Sequence, residues 1–135
     1  MRHIIPHSGD TATYGVAASQ YAGVSLAPMF ASERYSVQGP SFAYSLQVPT
    51  STGFVVRLWF AESWPGAMKS GGRVFNVKVA GKDCLLNFDI FSAAGGGLKG
   101  ISRDCAVAAG SATPIAVEFV RIGAHGDPKV SRSLY

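Results

Sequence analysis

Ser41-Phe42-Ala43-Tyr44-Ser45-Leu46-Gln47-Val48 alternates small or polar residues with apolar ones, and Phe54-Val55-Val56-Arg57-Leu58-Trp59-Phe60-Ala61 follows a similar rhythm. A side-chain period of two places Phe42, Tyr44, Leu46 and Val48 on one face of a strand. It likewise places Phe54, Val56, Leu58 and Phe60 on one face of the next strand, opposite Val55, Arg57 and Trp59. Between them, Pro49-Thr50-Ser51-Thr52-Gly53 is a cluster of turn formers, so the two runs read as a hairpin.

The same grammar continues toward the C-terminus. After the Pro/Gly-rich Trp64–Gly72 loop, Phe75, Val77 and Val79 alternate with Asn76 and Lys78, and Ala80-Gly81-Lys82 turns the chain into Cys84–Phe91. That pair reads as a second hairpin. Ala93–Gly97 reads as a flexible loop, Ile101–Val107 and Ile115–Ile122 as strands separated by Gly110-Ser111, and a short strand starts near Lys129. About seven short strands with turn signals at regular spacing predict an all-β, antiparallel sandwich. Alternation puts Phe60, Phe75 and Phe91 inside. The first forty residues are the least regular part, with Val16–Tyr21 a short helix or loop, and they carry Tyr14, Tyr21, Phe30 and Tyr35 in irregular chain, where binding residues collect.

Composition sets the bounds. The chain has 135 residues, 47% of them hydrophobic and only 15% charged, against roughly 25% charged in an average globular chain. This is the size and apolar content of one domain, residues 1–135, with a core of its own, and it excludes bulk disorder. No run reaches the ~20 apolar residues of a membrane span, and no secretory leader is visible at the N-terminus. The formal charge of +4 is spread over scattered Lys and Arg, which argues against nucleic acid as a partner. Cys84 and Cys105 allow at most one bridge, and in strands the default for each is a reduced, buried thiol. No Cys/His spacing indicates a metal, and no motif calls for a cofactor.

Catalytic constellations are hard to assemble from these residues. His3, His7 and His125 have no carboxylate partner by spacing. Gly95–Gly100 lacks the Gly-Lys-Ser/Thr ending of a phosphate loop. Glu62, Asp89 and Asp127 near strand ends are candidates for a glycosidase carboxylate pair, but carboxylates there more often accept backbone N–H bonds. Aromatic rings in loops remain, and these stack on the C–H faces of sugars while a carboxylate binds the hydroxyls.

Four ordered segments point to a family. Met29–Tyr35 with Ser41–Tyr44, Leu58–Glu62 with Arg73–Val77, Asn87–Phe91, and Gly126–Val130 resemble, in order and spacing, the motifs of the malectin family of carbohydrate-binding domains. The resemblance implies a non-catalytic β-sandwich that binds glucose-containing oligosaccharides through loop aromatics and an aspartate at one end. In the animal family member this serves glycoprotein quality control in the endoplasmic reticulum, where the ligand is a diglucosyl unit. Related domains belong to plant receptor kinases and some plant motor proteins, so the resemblance leaves the compartment as the secretory pathway, the cell exterior or, beside a motor, the cytoplasm.

Carried onto this chain, the sugar-binding positions implied by the resemblance are Tyr14, Gly15, Tyr35, Trp64 and Asp127. Trp64 and Pro65 stand where the family has tyrosine and phenylalanine. The family's aspartate aligns with Gly126, leaving Asp127 one place later, and in a strand a one-residue shift reverses the side chain's face. The family's opening strand has no counterpart in residues 1–13, which read as irregular. These departures define an alternative: a malectin-like protein-interaction module with a degraded sugar site, part of a larger receptor or motor protein.

Overall fold

The computed structural model describes residues 10–13, 32–35, 41–122 and 128–134, the side chains of 10–13, 32–35 and 132–134 excepted. Among the described residues ten strands run in chain order: β1 (Asp10–Thr13), β2 (Ser32–Tyr35), β3 (Ser41–Leu46), β4 (Phe54–Phe60), β5 (Val74–Val79), β6 (Lys82–Asp89), β7 (Ile101–Val107), β8 (Ile115–Arg121), β9 (Lys129–Val130) and β10 (Arg132–Leu134). A four-stranded sheet in the order β3-β8-β5-β6 faces a three-stranded sheet β10-β4-β7, and β1-β2-β9 forms a third. Every pairing is antiparallel.

Alternation sets which residues enter the core. In β3 the buried residues are Phe42, Tyr44 and Leu46; in β4 they are Val56, Leu58 and Phe60; β5 contributes Phe75, Val77 and Val79; β8 contributes Ile115, Val117 and Phe119. The rings interlock across and between the sheets: Phe42 stacks on Phe119 at 4.6 Å, Phe60 meets Phe75 at 5.9 Å and Phe88 at 4.8 Å. Each such buried ring contributes roughly 1.5–3 kcal/mol relative to exposure.

The β5–β6 hairpin closes as the sequence indicates. Val79 pairs with Lys82 across a two-residue loop in which Ala80 (φ 53°) and Gly81 (φ 75°) are both left-handed, the conformation that matches strand twist in tight hairpins. Farther along, the register jumps between Phe75↔Phe88 and Val77↔Leu85. The Asn76 side-chain oxygen accepts the Asn87 N–H at 2.8 Å there, and Asn87 itself takes a positive φ of 51°.

Four expectations are corrected. β3 and β4 do not form a hairpin: β3 pairs with β8 and β4 with β7 and β10, so Gln47–Gly53 carries the chain from one sheet to the other. Alternation reports which face is dry, and both strands satisfy it without being neighbours. The N-terminal residues are not irregular throughout, since Asp10–Thr13 pairs residue for residue with Ser32–Tyr35. The strand at Cys84 stops at Asp89, whose carboxylate caps helix α1 (Ile90–Ala94) by accepting the Ser92 N–H. Phe91 therefore rides on a helix and is only half-buried, while Phe88 and Ile90 enter the core. The loop expected at Ala93–Gly97 begins inside this helix and continues through the left-handed cap Gly95 (φ 81°).

The fourth correction concerns the thiols. Cys84 and Cys105 form a disulfide, with Cα atoms 5.8 Å apart. It joins β6, an edge of the four-stranded sheet, to β7, an edge of the three-stranded sheet. Two strands far apart in the hydrogen-bond ladder meet only because the sheets fold over one another.

Candidate functional site

β4 delivers Phe60 to the core and then leaves the sheet, with Ala61, Glu62 and Ser63 still enclosed. A buried carboxylate is tolerated only when paired and hydrogen-bonded. Glu62 meets that demand through side chains from two other segments. Arg73 Nε donates to Oε2 at 2.7 Å and Arg73 Nη2 to Oε1 at 3.4 Å. Lys129 Nζ lies 3.5 Å from Oε1 and donates to Ser63 Oγ at 3.1 Å. The side chains of Glu62 and Lys129 are fully enclosed and that of Arg73 is 6% exposed.

This cluster ties together the segments that carry the family resemblance. Glu62 closes the Leu58–Glu62 motif, Arg73 opens the Arg73–Val77 motif, and Lys129 belongs to the Gly126–Val130 motif. Lys129 is also the register partner of Tyr35, and Val130 that of Arg34, so the Ser32–Tyr35 motif runs alongside. Sequence reading singled out Glu62 only as a candidate acid or turn acceptor. The signal for the cluster was Glu62 just after the β4 alternation and Arg73 just before the β5 one.

Above the cluster stands Trp64. Its backbone N–H donates to Glu62 Oε1 at 3.1 Å, and Pro65 then starts a 3-10 turn, Pro65–Ala67, in which Ala67 N–H returns to Trp64 O at 2.9 Å. Ala67 is fully buried and anchors the turn, while Trp64 is 47% exposed. The indole folds back over Gly66, where an added Cβ would stand 2.5 Å from two ring carbons. The Arg73 guanidinium carbon lies 6.0 Å from the ring centroid, at the outer reach of a cation–π contact. Leu98 N–H donates to Glu62 O at 2.8 Å and brings the Gly96–Lys99 loop against the same residue.

Asp89, at the same end, is fully occupied. It accepts from Gly71 N at 2.6 Å, Ser92 Oγ at 2.9 Å and Ser92 N at 3.2 Å. Glu62 and Asp89 thus serve as acceptors for backbone donors, the ordinary role of strand-end carboxylates, and Glu62 has no exposed surface with which to meet a substrate. On the outer face of β4, Arg57 makes a two-pronged contact with Asp104 at 2.7 and 2.9 Å. That hydrogen bonding, reinforced by the charge of Asp104, raises the Arg57 pKa above its ordinary value.

Of the sugar-binding positions expected from the sequence, Trp64 is exposed at one end of the sandwich and Tyr35 ends β2 beside Lys129. Tyr14, Gly15 and Asp127 lie outside the described residues, as do His3, His7, His125 and Val16–Tyr21. Among the described residues, no group of three or more His, Cys, Asp or Glu side chains is placed to hold a metal ion. No helix among them is long and apolar enough to cross a membrane.

The fold and this end together define an antiparallel β-sandwich that presents an aromatic ring on a loop buttressed by buried charge. The chain belongs to the malectin family: the Malectin domain matches residues 7–130. Among solved structures, it is similar to the ANX2 ectodomain from Arabidopsis thaliana, with a TM-score of 0.77 and 16% identity over 97% of this chain and 41% of that one. The ANXUR1 extracellular domain from the same plant gives 0.79 and 14% over 97% and 39%. A chain of the structure of the plant peptide RALF23 in complex with FER and LLG2 gives 0.81 and 12% over 97% and 40%. The chain spans about two fifths of the length of these proteins. No curated protein matches it by sequence.

Proposed function

We propose that this chain is a non-catalytic protein-interaction module of a larger receptor-like protein, in which the family's sugar site has degraded. The observation that carries the proposal is the state of the Trp64 end. A sugar site of this family's kind pairs stacking rings with a carboxylate for the hydroxyls. Here the stacking position holds an indole with no hydroxyl and a proline. The two described carboxylates at that end are committed, Glu62 to Arg73 and Lys129, Asp89 to Gly71 and Ser92. A half-exposed tryptophan fixed on a rigid turn is instead the typical anchor of a protein interface.

Three further facts support the context. The similar ectodomains are more than twice the length of this chain, and one neighbour's structure is that of a peptide complex. The Cys84–Cys105 bridge suits an oxidising compartment, which favours a secreted or cell-surface setting over a cytoplasmic motor.

Calorimetric titration with the glucose disaccharides maltose and nigerose tests the reading, together with a photo-crosslinking residue introduced at position 64 and, as control, at Leu86. The expected result is no saturable heat with either sugar and one discrete polypeptide crosslinked from position 64 but not from position 86. Saturable disaccharide binding that disappears in Trp64→Ala would restore the sugar site and overturn the proposal.

A further inference from the structure

We infer that the Trp64 end accepts an acidic segment of a protein partner, a stretch in which Asp or Glu alternates with an apolar residue that lies on the indole. The inference rests on the interaction-module reading above and names the partner's chemistry.

Charge at this end is unbalanced among the described residues. Lys69, Arg73, Lys99 and Lys129 are the cations there, and Glu62 and Asp89 the carboxylates. The two enclosed cations, Arg73 and Lys129, lie against Glu62, and Asp89 is spent on backbone and hydroxyl donors. That leaves the exposed pair. Lys69 sits on the same loop as Trp64, is exposed, and has no carboxylate within ion-pair reach among the described residues. Lys99 is exposed on the loop that Leu98 pins to Glu62, and among the described residues its ammonium donates to the Gly95 carbonyl, at 3.1 Å.

Two exposed sets elsewhere are of opposite sign. Arg57 pairs with Asp104 on the outer face of β4; Lys78 faces Asp83 at 4.0 Å and is in register with Glu118 on the four-stranded sheet.

The apolar part of the surface is also defined. Trp64 and Pro65 are exposed side by side, and Met68 is half-buried behind them, held where a side chain at Gly97 would overlap its sulfur. An indole with a proline beside it, on a loop that also carries exposed Lys69 and with the Lys99 loop tied to Glu62, matches a peptide that offers an apolar side chain between carboxylates. The ring supplies desolvated contact area, and the lysines supply steering and register.

The test uses the intact 135-residue chain. The Trp64 indole N–H resonance and binding isotherms are followed during titration with three short peptides that share a Leu-Pro pattern and carry Glu, Gln or Lys between. A uronic-acid oligosaccharide of matched charge and maltose complete the set. The Glu peptide is expected to shift the Trp64 resonance saturably, to weaken several-fold as salt is raised, and to lose about tenfold in affinity in Lys69→Gln/Lys99→Gln. Both positions are exposed, and an unchanged unfolding midpoint in that variant confirms an intact fold.

Equal, salt-insensitive binding of the Gln or Lys peptide would overturn the acidic inference while leaving the interaction-module reading standing. Preference for the uronic-acid oligosaccharide over the Glu peptide would overturn the assignment of the partner as protein. A Trp64 shift with maltose alone would overturn both readings, and no shift with any probe would overturn the inference.

Discussion

Two ion pairs each have one member on β4 or just past its end, and they share the same shortest distance. Arg57–Asp104 and Arg73–Glu62 are both 2.7 Å, yet the first pair's side chains are 37% and 47% exposed and the second pair's 6% and 0%. The difference teaches what geometry alone does not. In water, the Arg57–Asp104 contact replaces hydration that each group would otherwise keep, and its net effect is small. Inside, Glu62 has no water to return to, so its partners are obligatory, and the segments that supply them are fixed relative to one another.

Removing one member of the buried cluster breaks this comparison most forcefully. Glu62→Ala strands the Arg73 and Lys129 charges, and unfolding in urea should show a loss of about 3–5 kcal/mol, with Trp64 emission changed because its backbone anchor is gone. A stability change too small to measure would mean that water reaches the cluster.

The disulfide sharpens the contrast. It closes a sequence separation of 21 residues between the two sheets, and replacing both cysteines, Cys84→Ser with Cys105→Ala, should cost about 2–4 kcal/mol. Because the bridge lies in β6 and β7 and the loop rests on Glu62, the folded variant should keep its Trp64 emission. Loss of that signal in a folded variant would show that the loop depends on the sheet edges.

Gly66→Ala isolates the ring from the cluster. The new methyl group must displace the indole that now lies over Gly66, so Trp64 quenching should change while the unfolding midpoint moves little. Smallest of all is Asp104→Ala: the Arg57 partner is exposed, and the midpoint should be unchanged within error at moderate salt.

The same contrast accounts for what the sequence made legible. Strands β3, β4 and β5 were readable because half-buried strands write their dry face into every second residue, and the Ala80-Gly81 turn because only tight hairpins need two left-handed residues in a row. Partner choice left no such trace, which is why β3 and β4 looked like a hairpin when each pairs elsewhere. Local rules also stop at Asp89, where a capped helix turns Phe91 out of the sequence of inward faces.

Long-range pairs were the least visible. Glu62 meets Arg73 eleven positions on and shares Lys129 with Ser63 across 66 positions, and Cys84 finds Cys105 only once two sheets close. Resemblance to a family marked the segments that supply the cluster. Glu62, Arg73 and Lys129 of those segments lie inside, beneath the loop that carries Trp64.

A double-mutant cycle on Glu62→Gln and Arg73→Met, read by urea unfolding, tests the central claim that this buried cluster holds the Trp64 end together. The two losses are expected to be strongly non-additive, with a coupling of about 1–3 kcal/mol between groups in direct contact. Additive losses, with a coupling below about 0.5 kcal/mol as for distant sites, would contradict it.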